Sequence, residues 1–564
     1  MKNIIKTFAV ATLAFSMTGC IEEYDPQSST VAQKQVQEAP SAFQSLVDGI
    51  TSTLVGQFTY RGNGRAAGND FGYPTFYLMR DVQGQDILQP HINWYEGFYI
   101  SQYLGPTYAN PQMPWTYYFG WIKSCNDVIA IAGENPQGDR VEGAGIAHAM
   151  RALYYLDLAR MFAPKTYAKD KNAETVPIQK ENMTTEQAAH NKRATNEQIY
   201  AFILSDLDKA EKYLANYSRT TKTTPDLSVV YGLKARTYLT MEDWANARKY
   251  AKMAQKGYNI MSGEQYTDRM TGFNTPNDAW MLCATYKLDD PNIRLNDGDS
   301  SWGSQMCLEV DPETSGCGYA ASYGQFWLID RHLYETIPQT DVRKKCFVDF
   351  AIDDLKGADD KATKAMKLKA LEAYTDYPAW VYRTGYNTTT NYVGVGGLPL
   401  KFRLAGGEAG RHNQMLGFAV SVPMMRVEEM YLIEAEAAGM MNEAEGIALL
   451  TKFAKMRDAD YVYGKHNEAY GNTSTSKFQN ECWWQRRVEF WGEGLATFDI
   501  KRLNKGIIRS YPKSNHVDGY RWNTTTTPEW MNWCIVQTET NYNVDCTNNP
   551  APVAPTGNTP EHKW

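Results

Sequence analysis

The sequence predicts a mostly α-helical fold in which tetratricopeptide-like helix pairs form a scaffold for long irregular loops. Two observations support this prediction. Apolar and alanine residues recur at steps of three and four towards both ends of the chain, whereas the middle is rich in Gly, Asn, Asp and aromatic residues with few long periodic runs. Helices on both sides of one irregular region favour a single large unit.

Two helical hairpins are the clearest periodic segments. The first spans residues 227–258, with Ala247 and Ala251 one turn apart on its second helix. Small residues at such positions let two helices approach closely, as in tetratricopeptide units of about 34 residues. The second hairpin spans 426–457 and turns near Gly439–Asn442. The pattern predicts further amphipathic helices near residues 41–56, 115–132, 141–163, 196–215 and 479–503.

The first twenty residues have the pattern of a lipoprotein signal peptide. Lys2 and Lys6 precede an apolar stretch at 8–15, and Gly19 stands before Cys20. In this form of the signal, the Cys20 thiol takes a lipid and the mature chain begins there, so several acyl chains hold the protein on the membrane. An ordinary secretory signal that happens to contain a cysteine is the alternative.

The predicted organisation follows from these patterns. Its parts are a signal peptide at 1–19, a lipid-attached tether at 20–40 and one domain at 41–564. Within that domain we distinguish two helical scaffold segments, a loop-rich insertion and an irregular C-terminal region, at about 41–258 and 425–503, 260–424, and 504–564 respectively.

Charge and cysteine content limit the classes of partner. The chain carries 57 Lys and Arg against 64 Asp and Glu, a net charge of −7 without a basic run, which is typical of a protein that does not bind nucleic acid. The nine cysteines form no CxxC or Cys/His cluster, so we expect no metal site. Cys307 with Cys317, and Cys534 with Cys546, are spaced for local disulfides, and reduced thiols are the alternative.

Motifs of catalysis and cofactor binding are missing from the sequence. There is no HExxH, GxSxG, Walker or Rossmann motif, and the eight histidines are scattered singly. We interpret Gly394–Gly397 and Asp297–Asp299 as turns rather than phosphate or calcium loops. A glycosidase needs only two carboxylates, so motif absence alone does not exclude hydrolysis.

Five segments carry a resemblance to a known family. They are Trp115–Asn126, the "RAxYYxDL" run at Arg151–Leu158, the next helix at Tyr200–Leu214, the "RxxExYLxxAEA" helix at Arg426–Ala437, and the closing element Arg486–Arg502. Together, in this order and spacing, they resemble the SusD/RagB family of surface lipoproteins. Gln485, Ala496 and Ala163 depart from the family pattern at scaffold positions.

The resemblance implies a fold of tetratricopeptide-like helix pairs and a binding function without catalysis or cofactor. Family members lie on the outer membrane at the cell surface, over a SusC-like TonB-dependent transporter. They bind oligosaccharides or, in the RagB branch, peptides. Glycan capture is the leading hypothesis because sugar faces stack on aromatic loop residues; peptide capture, hydrolysis and a pure assembly role are the alternatives.

Charged residues in the resembling helices have a structural interpretation. We expect them to pair between neighbouring helices rather than to contact ligand. They are Arg426, Glu429, Glu436, Arg486, Glu489 and Glu493.

Two loop regions, around 80–99 and 302–327, are predicted to form the ligand-binding surface. The first precedes the Trp115 helix, where the family commonly supplies ligand contacts, and the second adds rings beside a Gly/Asp/Ser turn. Filling the scaffold core is the alternative role for Trp94 and Trp302. The candidate residues are Arg80, Asp81, Trp94, Tyr95, Trp302, Tyr319 and Tyr323.

Overall fold

A computed structural model of the chain describes most residues downstream of the predicted signal peptide and tether. The described residues are 40–57, 67–90, 94–294, 298–314, 316, 318–387 and 392–564. Contacts divide the chain into two compact units, Met1–Ser45 and Leu46–Trp564, and the second unit contains the helix pairs, the strands and the candidate site. The predicted lipidation site Cys20, together with Asp297 and Cys317, lies outside the described residues.

Ten helices of eleven or more residues are present in the described part of the chain. They are α1 (Pro40–Ser52), α2 (Ala109–Ala132), α3 (Arg140–Phe162), α4 (Asn196–Tyr213), α5 (Leu227–Met241), α6 (Trp244–Ala254), α7 (Asp360–Leu371), α8 (Val427–Met441), α9 (Glu443–Ala454) and α10 (Lys477–Glu489).

Shorter helices occupy the connections between these elements. The α-helical ones are Thr75–Asp81, Glu96–Tyr99, Thr185–Ala189, Gly263–Tyr266, Pro291–Arg294, Trp302–Met306, Arg331–Thr336, Pro378–Gly385, Gly407–Arg411, Gln414–Phe418, Ala496–Arg502 and Gln537–Thr540. The 3₁₀ turns are Thr53–Val55, Val342–Cys346, Phe350–Ile352 and Glu529–Met531, and one π-helical turn spans Gly318–Ser322.

The long helices stack in pairs, which confirms the predicted scaffold. Helix α3 packs on α2 and α4, α5 pairs with α6, and α8 packs on α6, α9 and α10. In the α5/α6 hairpin, Glu242 takes a left-handed backbone conformation (φ 59°), and the Asp243 side chain accepts a hydrogen bond from the Asn246 amide at 3.2 Å, which begins α6. Ala247 and Ala251 are fully buried, so the small residues do allow the close approach that the sequence predicted.

The predicted helix 479–503 divides into two helices. It forms α10 and the separate helix Ala496–Arg502. Gly492 and Gly494 between them both have φ 74°, a conformation that residues with a Cβ rarely adopt. A Cβ on Gly494 would also lie 2.5 Å from the Tyr77 ring. The helix is therefore interrupted both by the backbone conformation of the glycines and by close packing against Tyr77.

The described residues contain three two-stranded antiparallel ladders, of which two join distant parts of the chain. Their strands are β1 (Ile87–Leu88), β2 (Glu174–Pro177), β3 (Arg193–Thr195), β4 (Trp280–Thr285), β5 (Leu328–Ile329) and β6 (Ser421–Arg426), paired β1–β5, β2–β3 and β4–β6. The β4–β6 ladder pairs Trp280 with Arg426 and Thr285 with Ser421, so the intervening insertion enters and leaves the scaffold side by side. The β1–β5 ladder joins the first predicted ligand-binding loop region to the residues that directly follow the second.

A buried ionic network links the insertion to the scaffold. Glu489 is fully buried on α10. Its carboxylate forms ion pairs with Arg457 at 2.9 Å, Arg426 at 3.1 Å and Arg343 at 3.4 Å. These guanidinium groups hold the pKa of Glu489 well below its usual range despite burial, which acts in the opposite direction. Glu493 adds a pair to Arg426 at 2.9 Å.

The remaining charged residues of the resembling helices also pair inside the protein. Glu436 meets Arg502 at 2.6 Å, and Arg486 meets Asp499 at 2.6 Å. Glu429 binds Arg236 of α5 at 2.6 Å. Their predicted structural role is therefore confirmed.

The cysteines of the described residues are free thiols. Cys534 and Cys546, one of the two spaced pairs, form no disulfide in the structure. Burial raises the pKa of Cys534 to about 11 and that of Cys546 to about 12, so both thiols are protonated at neutral pH.

Candidate functional site

Trp94, Tyr319 and Tyr323 form a row of aromatic rings, which we call the aromatic row. The Trp94 and Tyr319 ring centroids are 6.4 Å apart at 75°, and those of Tyr319 and Tyr323 are 5.6 Å apart at 44°. Trp94 and Tyr319 are half-buried, while Tyr323 is 56% exposed. The row thus combines rings fixed by neighbours with ring surface open to solvent.

The turn Gly318–Ser322 sets the spacing of the two tyrosines. The amides of Tyr323 and Gln325 donate to the Tyr319 carbonyl at 3.2 and 3.1 Å. The Tyr319 amide itself donates to the Ser304 hydroxyl at 2.8 Å, which attaches the turn to the helix Trp302–Met306. Both tyrosines are therefore held by backbone hydrogen bonds.

Gly68 makes room for Trp94 beside Tyr319. A Cβ at this position would lie 2.5 Å from Trp94 Nε1 and 2.7 Å from Tyr319 Cε2, closer than van der Waals contact permits. The Asn69 side-chain amide donates to the Trp94 carbonyl at 3.1 Å and fixes that residue further. The two rings can meet only because residue 68 has no side chain.

Arg509 binds backbone carbonyls of the first loop region. Its buried guanidinium donates to the carbonyls of Val82, Gly84 and Tyr99, each at 2.9 Å. Burial lowers the pKa of Arg509 to about 10, because carbonyl oxygens rather than a carboxylate surround it. Arg509 therefore fixes the segment that leads to Trp94. The sequence did not predict this role, because Arg509 is far from that segment along the chain.

Polar groups beside the row are suited to hydrogen bonding. Burial raises the pKa of the Tyr319 hydroxyl, and the nearby carboxylate of Asp299 raises it further. The hydroxyl therefore stays protonated at neutral pH and remains able to donate. The Asn387 side chain reaches the same turn, donating to the Ser322 carbonyl at 3.3 Å.

Arg80 and Asp81 lie in the helix Thr75–Asp81 and inside the core, so we do not carry them forward as ligand contacts. Arg80 is 1% exposed and donates to the Tyr118 hydroxyl at 3.1 Å and to Asp157 at 3.4 Å. Asp81 is 2% exposed and accepts from the Gly494 amide at 3.0 Å. Burial raises the pKa of Asp81 to about 7. Both side chains therefore contribute to the core of the scaffold.

Tyr95 and Trp302 are also fully buried, as the core-filling alternative for Trp302 anticipated. The Tyr95 hydroxyl pairs with that of Thr75 at 2.9 Å. Trp302 packs edge-on against Phe402, with centroids 5.0 Å apart, and against Tyr77 at 5.9 Å. Neither ring reaches the surface, so neither is retained in the site.

A cleft of about 680 Å³ opens beside Pro90, a residue of the first loop region. Phe350, Tyr392 and Arg521 are among its lining residues. The turn Gly394–Gly397 is close by, and its amides at 395 and 396 donate to Asp353, which also lines the cleft, at 2.8 and 2.9 Å. The predicted turn is thereby confirmed, and its amides bind the Asp353 carboxylate of the protein itself.

The described residues offer no candidate for a metal site or a membrane span. No group of three or more His, Cys, Asp or Glu side chains there is arranged to hold a metal ion. Across the same stretch, none of the helices combines the length and the apolar character that crossing a bilayer requires.

Comparisons with known families match two segments of the chain. A model described as "Starch-binding associating with outer membrane" matches residues 58–239, and the model of the SusD family matches residues 333–552. The chain belongs to the SusD family. No protein with a curated description matches the sequence.

Solved structures show the same fold over nearly the whole chain. A SusD-like carbohydrate-binding protein from Bacteroides vulgatus has 20% identity and a TM-score of 0.66, covering 90% of this chain and 97% of its own. A SusD superfamily protein from Bacteroides thetaiotaomicron has 18% identity and a TM-score of 0.63, with 90% and 99% covered. Surface glycan-binding protein A of that organism, in complex with laminarihexaose, has 16% identity and a TM-score of 0.61, with 90% and 98% covered.

Proposed function

We propose that this protein captures oligosaccharides at the cell surface and that the aromatic row is the platform on which sugar rings stack. The observation that carries this proposal is the row itself, in which Trp94 and Tyr319 are held rigidly and Tyr323 is open to solvent. Pyranose rings present apolar C–H faces to aromatic rings, and their hydroxyls pair with neighbouring polar groups. The laminarihexaose bound by a protein of the same fold supports a glycan as the ligand class.

The geometry of the row favours a glycan over the peptide alternative. Extended peptides are commonly bound by pairing their main chain with a strand edge, or by an apolar groove that takes alternate side chains. The row instead offers ring faces beside the Tyr319 hydroxyl and the Asp299 carboxylate. We infer binding without hydrolysis, since the family is one of binding proteins.

Removing a ring of the row should weaken glycan binding without unfolding the protein. A stacked ring contributes about 1 kcal/mol beyond its buried area, so Trp94→Ala and Tyr323→Ala should each lower affinity roughly fivefold. Calorimetry with the best-binding oligosaccharide from an array measures this change. Tyr542→Ala is a matched control, because that ring is 79% exposed and no part of the row.

Two results would contradict this prediction. Unchanged affinity in both Trp94→Ala and Tyr323→Ala would remove the row as the binding surface. Release of reducing ends from the bound oligosaccharide by the purified protein would show hydrolysis in place of capture. Trp302→Ala serves as a folding reference, since loss of a buried Trp costs about 3–5 kcal/mol and should lower the melting temperature sharply.

We further propose that the protein is lipid-anchored at the outer membrane and delivers its ligand to a SusC-like TonB-dependent transporter. A binder outside the cell cannot move its ligand across the membrane by itself. The description of the matching family, which names association with the outer membrane, supports this location.

Purification in mild detergent should therefore recover a large β-barrel protein together with this chain. Mass spectrometry of the material retained by a tagged copy identifies the partner, and an unrelated tagged lipoprotein of the same membrane is the control. Recovery of no transporter, or equal recovery with the control, would argue against the partnership.

A further inference from the structure

The helix Pro378–Gly385 carries a second aromatic stack, which the aromatic row does not include. Trp380 lies parallel to Tyr377, with centroids 4.4 Å apart at 8°. The Arg411 guanidinium lies 4.9 Å from the Tyr377 centroid, and since Trp380 occupies one face of that ring, Tyr377 is held between the two. Arg411 is itself fully buried and pairs with Glu309 at 3.4 Å. Trp380, which is half-buried, is thus the layer of this stack on the side of Tyr377 away from the buried Arg411.

Exposed polar groups border Trp380. The His412 ring meets Trp380 edge-on, with centroids 5.8 Å apart at 89°. Its two nitrogens contact Asp311 at 2.8 Å and Glu408 at 3.2 Å, and the Tyr377 hydroxyl also donates to Glu408. The side chains of His412 and Glu408 are 44% and 66% exposed. A flat ring with charged hydrogen-bonding groups at its edge is the arrangement that recognises a sugar ring and its hydroxyls.

Trp380 lies near the turn that carries the aromatic row. Thr384 follows Trp380 by one helical turn and therefore lies on the same side of the helix. The Thr384 hydroxyl donates to the Ala321 carbonyl at 3.4 Å, and the Asn387 side chain donates to the Ser322 carbonyl at 3.3 Å. Residues 321 and 322 lie between Tyr319 and Tyr323 of the row. The helix Pro378–Gly385 is therefore attached to the same turn that carries the two tyrosines.

We propose that Trp380 is a second stacking platform that binds a distal sugar unit of the same oligosaccharide held by the aromatic row. The inference rests on the proposed glycan-capture function and adds a length preference to it. A short ligand occupies the row alone, whereas a longer one reaches Trp380 and places hydroxyls beside Glu408 and His412. One signal for this platform is present in the sequence, the density of aromatic residues between 374 and 392.

The test compares short and long ligands on matched variants. A glycan array selects the oligosaccharide series that binds best, and the disaccharide and hexasaccharide of that series are the calorimetric probes. Trp380→Ala should weaken the hexasaccharide about fivefold and leave the disaccharide unchanged. Trp380→Phe, which keeps a ring, should retain most of the hexasaccharide affinity. Tyr382→Ala is the control, because Tyr382 points away from Trp380 on the same helix and stacks on Tyr386 at 4.3 Å.

The outcomes separate this proposal from the function on which it rests. Unchanged hexasaccharide affinity in Trp380→Ala, with the same melting temperature as the unsubstituted protein, overturns the second platform and leaves glycan capture standing. Equal weakening of both probes also overturns it, because the ring would then belong to the primary site. Absence of binding to every series on the array overturns glycan capture and the second platform together.

Discussion

Replacing Glu489 by Gln should lower the free energy of unfolding by about 3–5 kcal/mol, the usual cost of removing one partner from a buried ion pair. The substitution keeps the size of the side chain but leaves Arg343, Arg426 and Arg457 short of negative charge in a region that water does not reach. Urea denaturation followed by far-ultraviolet circular dichroism measures the shift in midpoint. Glycan binding by whatever protein remains folded should be unaffected, since Glu489 does not reach the surface.

Glu445→Gln provides the matched control for this experiment. Glu445 also pairs with an arginine, Arg248, but the two side chains are 42% and 26% exposed, so the loss should stay below about 1 kcal/mol. The pKa of Glu489 is lowered in the folded protein, so its contribution is present above the usual carboxylate pKa and is lost as the pH falls through the folded value. The difference between the Glu489→Gln variant and the unsubstituted protein should accordingly shrink in acid. Equal shifts in the two variants at neutral pH would contradict the prediction.

Cys20→Ala should move the protein completely from the outer-membrane fraction to the soluble fraction. The predicted acyl chains at this residue supply the hydrophobic contact that keeps a lipoprotein on a bilayer, and the substitution removes the thiol to which the lipid is attached. Cell fractionation with immunoblotting measures the distribution, and mass spectrometry of the N-terminal peptide detects the lipid directly.

Cys546→Ala is the control for the anchor, because it removes a different thiol and should leave the protein in the membrane fraction. If Cys20→Ala stayed there as well, the anchor assigned to Cys20 would be wrong. Retention through binding to the transporter alone is distinguished by repeating the fractionation in a strain that lacks the transporter.

Much of the scaffold was predictable, because helix pairs can be recognised from the local periodicity of their apolar and small residues. The small residues of α6 and the turn between α8 and α9 are examples, and both hairpins form as the sequence predicted. The β4–β6 ladder was not predictable from local signals. It pairs Trp280 with Arg426, residues far apart in sequence, and β6 contains Pro423 within a short, fully buried strand.

The candidate site was predictable by region but not by residue. Trp94 and Trp302 both lie in regions that the sequence predicts as loops, yet only Trp94 keeps some exposure, because Phe402 and Tyr77 pack against Trp302. Such enclosure depends on residues that local sequence does not reveal. The same reason explains why the stack at Trp380 was missed: its base, Arg411, becomes a neighbour only in the folded chain.

The β4–β6 ladder has a consequence for how binding specificity can change during evolution. Because its strands place the two ends of the insertion next to each other, a different insertion of another length can be grafted at the same junction without moving the helix pairs. Any such graft would have to supply replacements for Arg343 and Lys401, which pair with Glu489 and Glu493 of the scaffold alongside Arg426 and Arg457. Ligand preference can therefore change through substitutions in the loops that carry the aromatic rings. Positions 343 and 401, by contrast, are constrained to remain basic.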